Sequence, residues 1–310
     1  MADGRPLALR SPLANGDGCF GETAPPRASL PSRIRAGAGL NRRPLNHEPH
    51  SAAERRAPEA AAVGGAPRLL FSRKVADYEA SRPDYPEAFF QLLRARFSVG
   101  AEVVDLGAGT GLLTRDLLRH QFRVVAIEPD AAMLALAEQR LSGVPRYCGA
   151  VGRAEEIPLP AQSVDLVTAA QAFHWFEPQC ARAECLRVLR PGGLIALVWN
   201  DRVADDPLQR ALEVVLESCG KPKQSLASEK AAVADFFAPA RPEEFVWPHE
   251  HQLDLAGLTS LVFSRSYVPD RDTAAGRDVV RLVRELFERC QRDGYVTVRY
   301  RTVAFVGRPG

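Results

Sequence analysis

From about Leu69 to the end of the chain, short apolar runs alternate with amphipathic stretches. The runs at 102–106, 123–128, 147–149, 163–172 and 194–200 are rich in Val, Ile, Leu and Ala and read as buried strands. Helical spacing lies between them. Pro86 opens a helix whose apolar residues are Phe89, Phe90, Leu92 and Leu93. Leu112, Leu113, Leu117 and Leu118 line a second, with Thr110 as its expected cap. Asp130 caps a third, carrying Met133, Leu134, Ala137 and Leu141. A fourth, at 178–189, is expected to stop at Arg190–Gly193, the RPGG sequence. Strands alternating with helices predict a parallel α/β sheet.

The C-terminal third has a different pattern. Asp206 and Pro207 start a helix with Leu208, Ala211, Leu212, Val215 and Leu216 on one face, and Gly220 stops it. A strand is expected near 244–253. Val279, Val283, Leu286, Phe287 and Cys290 then form the stripe of a later helix, and an alternating run after Gly294 predicts a long final strand. Residues 1–67, rich in Arg, Pro, Ala and Gly, show neither period and are expected to form a disordered leader.

Charge sharpens this division. Residues 1–67 hold nine Arg, no Lys and six acids, a balance of +3. The whole chain has 40 basic and 38 acidic residues, so 31 and 32 remain for the body, or −1. A near-neutral body gives no electrostatic case for nucleic acid. No apolar run reaches the ~18 residues of a membrane span. The six cysteines form no CxxC pair, and Cys180 and Cys185 read as packing within a helical stretch. A reducing compartment, the cytoplasm, is expected. The Arg-rich start also admits a mitochondrial presequence, against which stand the early acids Asp3 and Asp17 and the helix-breaking Pro6 and Pro12.

The chemistry concentrates at VVDLGAGTG, Val103 to Gly111. Strand, glycine turn and helix start together make a nucleotide-type site, because glycine permits the turn and lets a ligand approach bare backbone. The next strand ends in AIEPD with Glu128, a carboxylate placed to accept hydrogen bonds from both hydroxyls of a ribose. Dinucleotide sites use G-x-G-x-x-G and seat a pyrophosphate. Here the spacing is G-x-G-x-G after an acid, Asp105, with no Lys or Arg in the turn. An acid there suits a ligand with a cationic end.

VVDLGAGTG with AIEPD resembles motif I and the following acidic motif of class I S-adenosylmethionine-dependent methyltransferases. GRAEEIPLPAQSVDLVTAAQAFHWF and RVLRPGGLIALVWN are similar to the middle motifs and fifth strand of the UbiE and trans-aconitate methyltransferase type, known as type 11. The resemblance covers about Phe71 to Pro309. It implies a Rossmann-like α/β fold, a seven-stranded mixed sheet with the last strand antiparallel, plus helical lid elements at about 68–86 and 201–240. It implies S-adenosyl-L-methionine as cofactor, bound by Asp105, Gly107, Ala108, Gly109, Gly111, Glu128, Pro129, Met133, Ala154, Glu155 and Gln171. VADYEASRPDYP resembles the segment that closes over the cofactor and places Tyr78 and Arg82 near its amino-acid end. The leader has no counterpart in the family.

Each assignment has a plainer competitor. Asp105 could simply cap a turn, Met133 could fill core, and one of Glu155 and Glu156 should face solvent. His174 is the candidate catalytic residue, as a base or as a pocket wall. Trp199, Asn200 and Arg202 follow the fifth strand and are possible substrate contacts by analogy alone. Arg299 and Arg301 read first as a solvated face. A roof made by Phe71–Pro86 and the helix at 207–219, with His174 and Trp175 beneath it, would enclose a mostly apolar acceptor pocket. The expected function is methyl transfer to a small organic molecule by a monomer, with no metal, nucleic acid or membrane partner. The alternatives are a protein or RNA methyltransferase and a silent interaction protein. The [DN]-P-P-[YF] motif that positions exocyclic amines is absent: Gln171 onward reads QAFHW.

Overall fold

The structure is a computed structural model, and it describes Asp77 and residues 81–220, 226–265 and 267–310. Tyr78 and the leader, residues 1–67, lie outside the described residues. Strands β1 (Glu102–Leu106), β2 (Arg123–Glu128), β3 (Tyr147–Val151), β4 (Val164–Ala170), β5 (Leu189–Arg202), β6 (Glu243–Leu253) and β7 (Val296–Gly307) form one seven-stranded sheet in the order β3-β2-β1-β4-β5-β7-β6. The pairs β1–β2, β1–β4, β2–β3 and β4–β5 are parallel. β7 runs antiparallel to both β5 and β6, between which it is inserted. The fold is the expected seven-stranded mixed sheet with its last strand antiparallel.

Sequence explains which strands lie inside. β1, β2 and β4 have apolar residues buried on both faces, as a helix-covered parallel strand requires. β7 alternates from Val296 to Arg301, then is buried continuously from Thr302 to Val306. β6 alternates along its length and contains Pro248, which an edge strand tolerates because one side of its ladder is unpaired.

Among the described residues the α-helices named below are α1 (Glu87–Arg96), α2 (Leu112–Arg119), α3 (Ala131–Leu141), α4 (Pro178–Val188), α5 (Pro207–Ser218), α6 (Leu226–Phe237), α7 (Leu255–Phe263) and α8 (Ala274–Cys290). Asp130 caps α3 as expected, accepting from the amides of Ala132 and Met133. Two local expectations fail. Thr110 does not cap α2; Gly111 stands at the cap with φ +83° and no side-chain bond, because the turn needs a left-handed residue there. RPGG is not a stop between helix and strand but part of β5: Leu189 already pairs with Val164, and a register shift between Val164 and Leu166 absorbs the extra residues. The last crossover contains both α7 and α8 rather than a single helix.

Two apolar clusters pack the helices onto the sheet among the described residues. One joins α1 and α2 to the sheet through Phe89, Leu93, Leu117, Phe122, Val198 and Val306. The other joins α5, α7 and α8 to β7 through Leu212, Leu216, Leu258, Val283 and Val298. Among the described residues no helix is long and apolar enough to cross a membrane.

Candidate active site

After β1 the chain adds β2 and β3 on one side, then returns to place β4 on the other. The C-terminal ends of β1 and β4 therefore flank a switch point, the place where an open parallel sheet leaves a crevice for a ligand. Asp105, from the end of β1, pairs in register with Thr168 of β4. Its carboxylate is buried and accepts hydrogen bonds from Thr114 Oγ1 at 2.6 Å and Thr168 Oγ1 at 2.9 Å. Burial pushes its pKa up to about 6 against the pull of the two hydroxyls. Beside it lies a cavity of about 30 Å³, enough for a water molecule, whose walls include Tyr85, Gly107, Ala108 and Thr110. The Thr110 hydroxyl is solvent-shielded and without a hydrogen-bond partner among the described residues.

The glycine turn is fastened to β2. Gly107 and Ala108 donate to the Ile127 carbonyl at 2.9 and 3.1 Å, and Gly111 donates to Ala108 at 2.9 Å. The Gly109 amide donates to Glu128 Oε2 at 2.9 Å, while Glu128 Oε1 accepts from Asp130 N at 3.0 Å. These amides are engaged within the protein, so they do not form the free donor cradle of a phosphate loop. Burial raises the pKa of Glu128 despite these two bonds.

The three glycines have different jobs. A Cβ on Gly107 would meet Ala172 Cβ at 2.6 Å, and one on Gly111 would meet Leu141 Cδ1 at 2.9 Å. A Cβ on Gly109 would find only Met133 Cε, at 3.7 Å. Gly107 and Gly111 thus permit close packing, and Gly109 presents an open face toward Met133.

The remaining expected residues divide. Pro129 is exposed and precedes the cap of α3; Ala154 is buried between β3 and β4. Glu155 accepts from the amide of Glu177 at 2.8 Å and from Arg153 Nε at 3.2 Å, tying the β3–β4 loop to the start of α4. Gln171 follows β4 with φ +55°, and its Nε2 donates to the Asn200 carbonyl at 3.3 Å. Arg82 lies near enough to His174 to hold its pKa down, second to burial.

A strap, residues 81–86, crosses from the end of β5 to α2. Asn200 Nδ2 donates to the carbonyls of Asp84 at 3.1 Å and Pro83 at 3.4 Å, while Arg115 pairs with Asp84 at 2.8 Å. The role of Asn200 was not visible in its sequence position. α5 docks on α8 in the C-terminal cluster, and its Glu213 pairs with Arg202 at the end of β5 at 3.3 Å. Within the expected lid range of 201–240, α6 is the element that lies against the 3₁₀ turn Phe173–Trp175. Phe236 meets Phe173 edge-on at 5.1 Å, and Glu229 Oε1 stands 3.7 Å from His174 Nδ1. Trp175 is not beneath a roof: it is 73% exposed. Arg265 has its pKa lowered to about 10, first by burial and then by repulsion from Arg202 and Arg82. Arg299 pairs with Asp206 and Glu250, each at 3.0 Å, and Arg301 pairs with Asp201 at 3.1 Å, so both are structural.

A family model described as a methyltransferase domain matches residues 104–197, from β1 into β5. An uncharacterized methyltransferase of Mycobacterium tuberculosis (strain H37Rv) is 39% identical over 200 residues, covering 64% of this chain and 77% of that protein. The chain belongs to the class I, type 11 S-adenosylmethionine-dependent methyltransferases. An uncharacterized methyltransferase-like protein of Schizosaccharomyces pombe is 31% identical over 242 residues, covering 76% of this methyltransferase and 93% of the yeast protein. The solved structure of a methyltransferase from Anaeromyxobacter dehalogenans, assigned to type II, aligns with TM-score 0.58 and 25% identity over 73% of this chain and 97% of that one.

Proposed function

We propose that this methyltransferase binds S-adenosylmethionine in the crevice between β1 and β4 and methylates a small organic molecule. The observation that carries the reading is the pair of buried carboxylates, Asp105 and Glu128, beside a glycine turn whose amides are engaged internally. Such a site disfavours a phosphate and suits a ligand that brings hydroxyl donors and a cationic end. Glu128 is the proposed ribose acceptor and Asp105 the group answering the ammonium end. Met133, Ala154 and Glu155 are the proposed adenine side. Gln171 and Arg82 stand toward the amino-acid portion. S-adenosylmethionine supplies an electrophilic methyl group already activated by its sulfonium, so the protein's work is binding, alignment and exclusion of water.

The small-molecule acceptor is supported by the closeness of α6 to the 3₁₀ turn, which leaves His174 and Trp199 largely enclosed. Titration calorimetry of the full chain with S-adenosylmethionine and S-adenosylhomocysteine in chelator tests the cofactor; one site with either ligand is expected, and no heat with both would refute it. A labelled-methyl screen against a metabolite extract tests the acceptor class. Label appearing only in protein or RNA would overturn the small-molecule reading.

A further inference from the structure

Glu229 is a half-buried carboxylate, with a solvent-shielded Oε2, that the cofactor crevice does not use. It sits on α6, against the 3₁₀ turn that follows β4. Its Oε1 lies 3.7 Å from His174 Nδ1, too long for a direct hydrogen bond. His174 Nδ1, Glu229 Oε2 and Trp199 Nε1 are all shielded from solvent and lack hydrogen-bond partners among the described residues. Three unmet polar atoms in one enclosed place are costly unless something brings them together. They converge from three elements: the turn after β4, α6, and β5. The residues around them form a rigid aromatic wall, with Phe173 against Trp199 at 6.2 Å and against Phe236 at 5.1 Å.

We propose that Glu229 is the positioning residue of His174: it accepts a hydrogen bond from Nδ1–H, fixes the imidazole tautomer, and leaves Nε2 as the base that receives the acceptor's proton. The inference rests on the methyl-transfer reading above. Shortening the present 3.7 Å gap by less than an ångström makes a charge-assisted hydrogen bond. Trp199 Nε1 faces the same carboxylate and would supply it with a second donor once the gap closes. With Nδ1 held, the ring's other nitrogen carries the free lone pair. The acceptor O–H or N–H gives its proton to Nε2, and the electron pair so freed forms the new bond to the methyl carbon. The methyl–sulfur bond of bound S-adenosylmethionine would break with its pair left on sulfur, and the imidazolium of His174 would return its proton to water. His174 is suited to this because burial and Arg82 lower its pKa, so the ring is neutral near pH 7.

The charged groups that bear on this pair are Arg82 from the strap and Asp201 at the end of β5. A carboxylate that only filled space would leave the imidazole tautomer free. One that positions the ring must set both its tautomer and its basicity.

Imidazole ¹⁵N chemical shifts of the full chain, with and without S-adenosylhomocysteine, read both. The protein has six histidines, so His174 is assigned by the signal lost in His174→Gln. With the ligand bound, the neutral ring is expected as the Nδ1–H tautomer. Glu229→Gln keeps an acceptor but removes the charge; the tautomer should persist while the pKa falls by about one unit. Glu229→Met removes both, and the tautomer should shift toward Nε2–H. Unchanged amide shifts in β1 and β2 establish that each variant folds. An Nε2–H tautomer in the parent protein, or one pKa in all three proteins, would overturn the proposal. The shift of the Gly109 amide on adding S-adenosylhomocysteine reports the cofactor reading separately, so either can fail alone.

Discussion

Asp105 is the residue on which binding and folding pull in opposite directions. Its pKa is raised from 3.8 to about 6, so between those values the folded state holds a proton that the unfolded state has released. Its contribution to stability therefore falls as pH rises across that window, by up to the order of 3 kcal/mol. A cationic ligand reverses the balance by favouring the carboxylate. Cofactor affinity should accordingly rise from pH 5 to 7, with proton uptake by buffer visible in calorimetry. Asp105→Asn should melt at the parent temperature or higher at pH 7 and bind S-adenosylmethionine more weakly; a variant that binds as tightly would remove Asp105 from the site. Glu128→Ala should cost roughly 1.5–3 kcal/mol of cofactor affinity, the scale of hydrogen bonds to a charged group. Part of the measured loss will come from the Gly109 amide, which Glu128 holds at 2.9 Å. Asp105 and Glu128 were legible in the sequence because each ends a buried strand beside the glycine turn. Glu229 and Asn200 were not, since their partners, His174 and the carbonyls of Pro83 and Asp84, are distant in sequence.

At the scale of elements, the glycine turn divides into positions that serve packing and one that serves a ligand. Gly111 has φ +83° and its missing Cβ would press on Leu141 and Ala137 of α3. Gly111→Ala should thus destabilise the fold by roughly 2–4 kcal/mol, combining the left-handed backbone cost with overpacking. Gly109→Ala has φ +58° but an open side, so its stability cost should be nearer ~1 kcal/mol. Its larger effect should be on cofactor binding. Chemical denaturation and calorimetry on the two variants check this crossover; equal effects on both quantities would erase the distinction. The strand and helix order was readable because apolar runs and amphipathic stretches alternate cleanly through β5. RPGG misled because proline and glycine usually end elements. In this chain Gly193 lies where a Cβ would meet the Asp165 carbonyl at 2.9 Å, and the close approach carries the strand through. α6 escaped notice because LASEKAAVADFF has no strong stripe; its fully buried residues, Val233, Phe236 and Phe237, gather toward one end.

Across the whole molecule, the two apolar clusters separate stability from chemistry. The C-terminal cluster of α5, α7, α8 and β7 sits away from the glycine turn, whereas the other cluster packs α2 directly behind it. Leu258 is fully buried in the former. Leu258→Ala should cost about 2–5 kcal/mol of stability and leave the affinity for S-adenosylhomocysteine within about twofold in the folded protein. The antiparallel last strand followed from a resemblance, not from periodicity, because alternation gives a strand's faces and not its direction. The central claim is that two buried carboxylates flanking an internally bonded glycine turn recognise S-adenosylmethionine. Its most direct test is calorimetry of the full chain with S-adenosylmethionine at pH 5.5 and 7.5, in two buffers of different ionisation enthalpy. The account predicts one site, tighter binding at the higher pH, and proton release at the lower pH that disappears in Asp105→Asn. No binding at either pH, or pH-independent binding with no proton release in the parent protein, would contradict it.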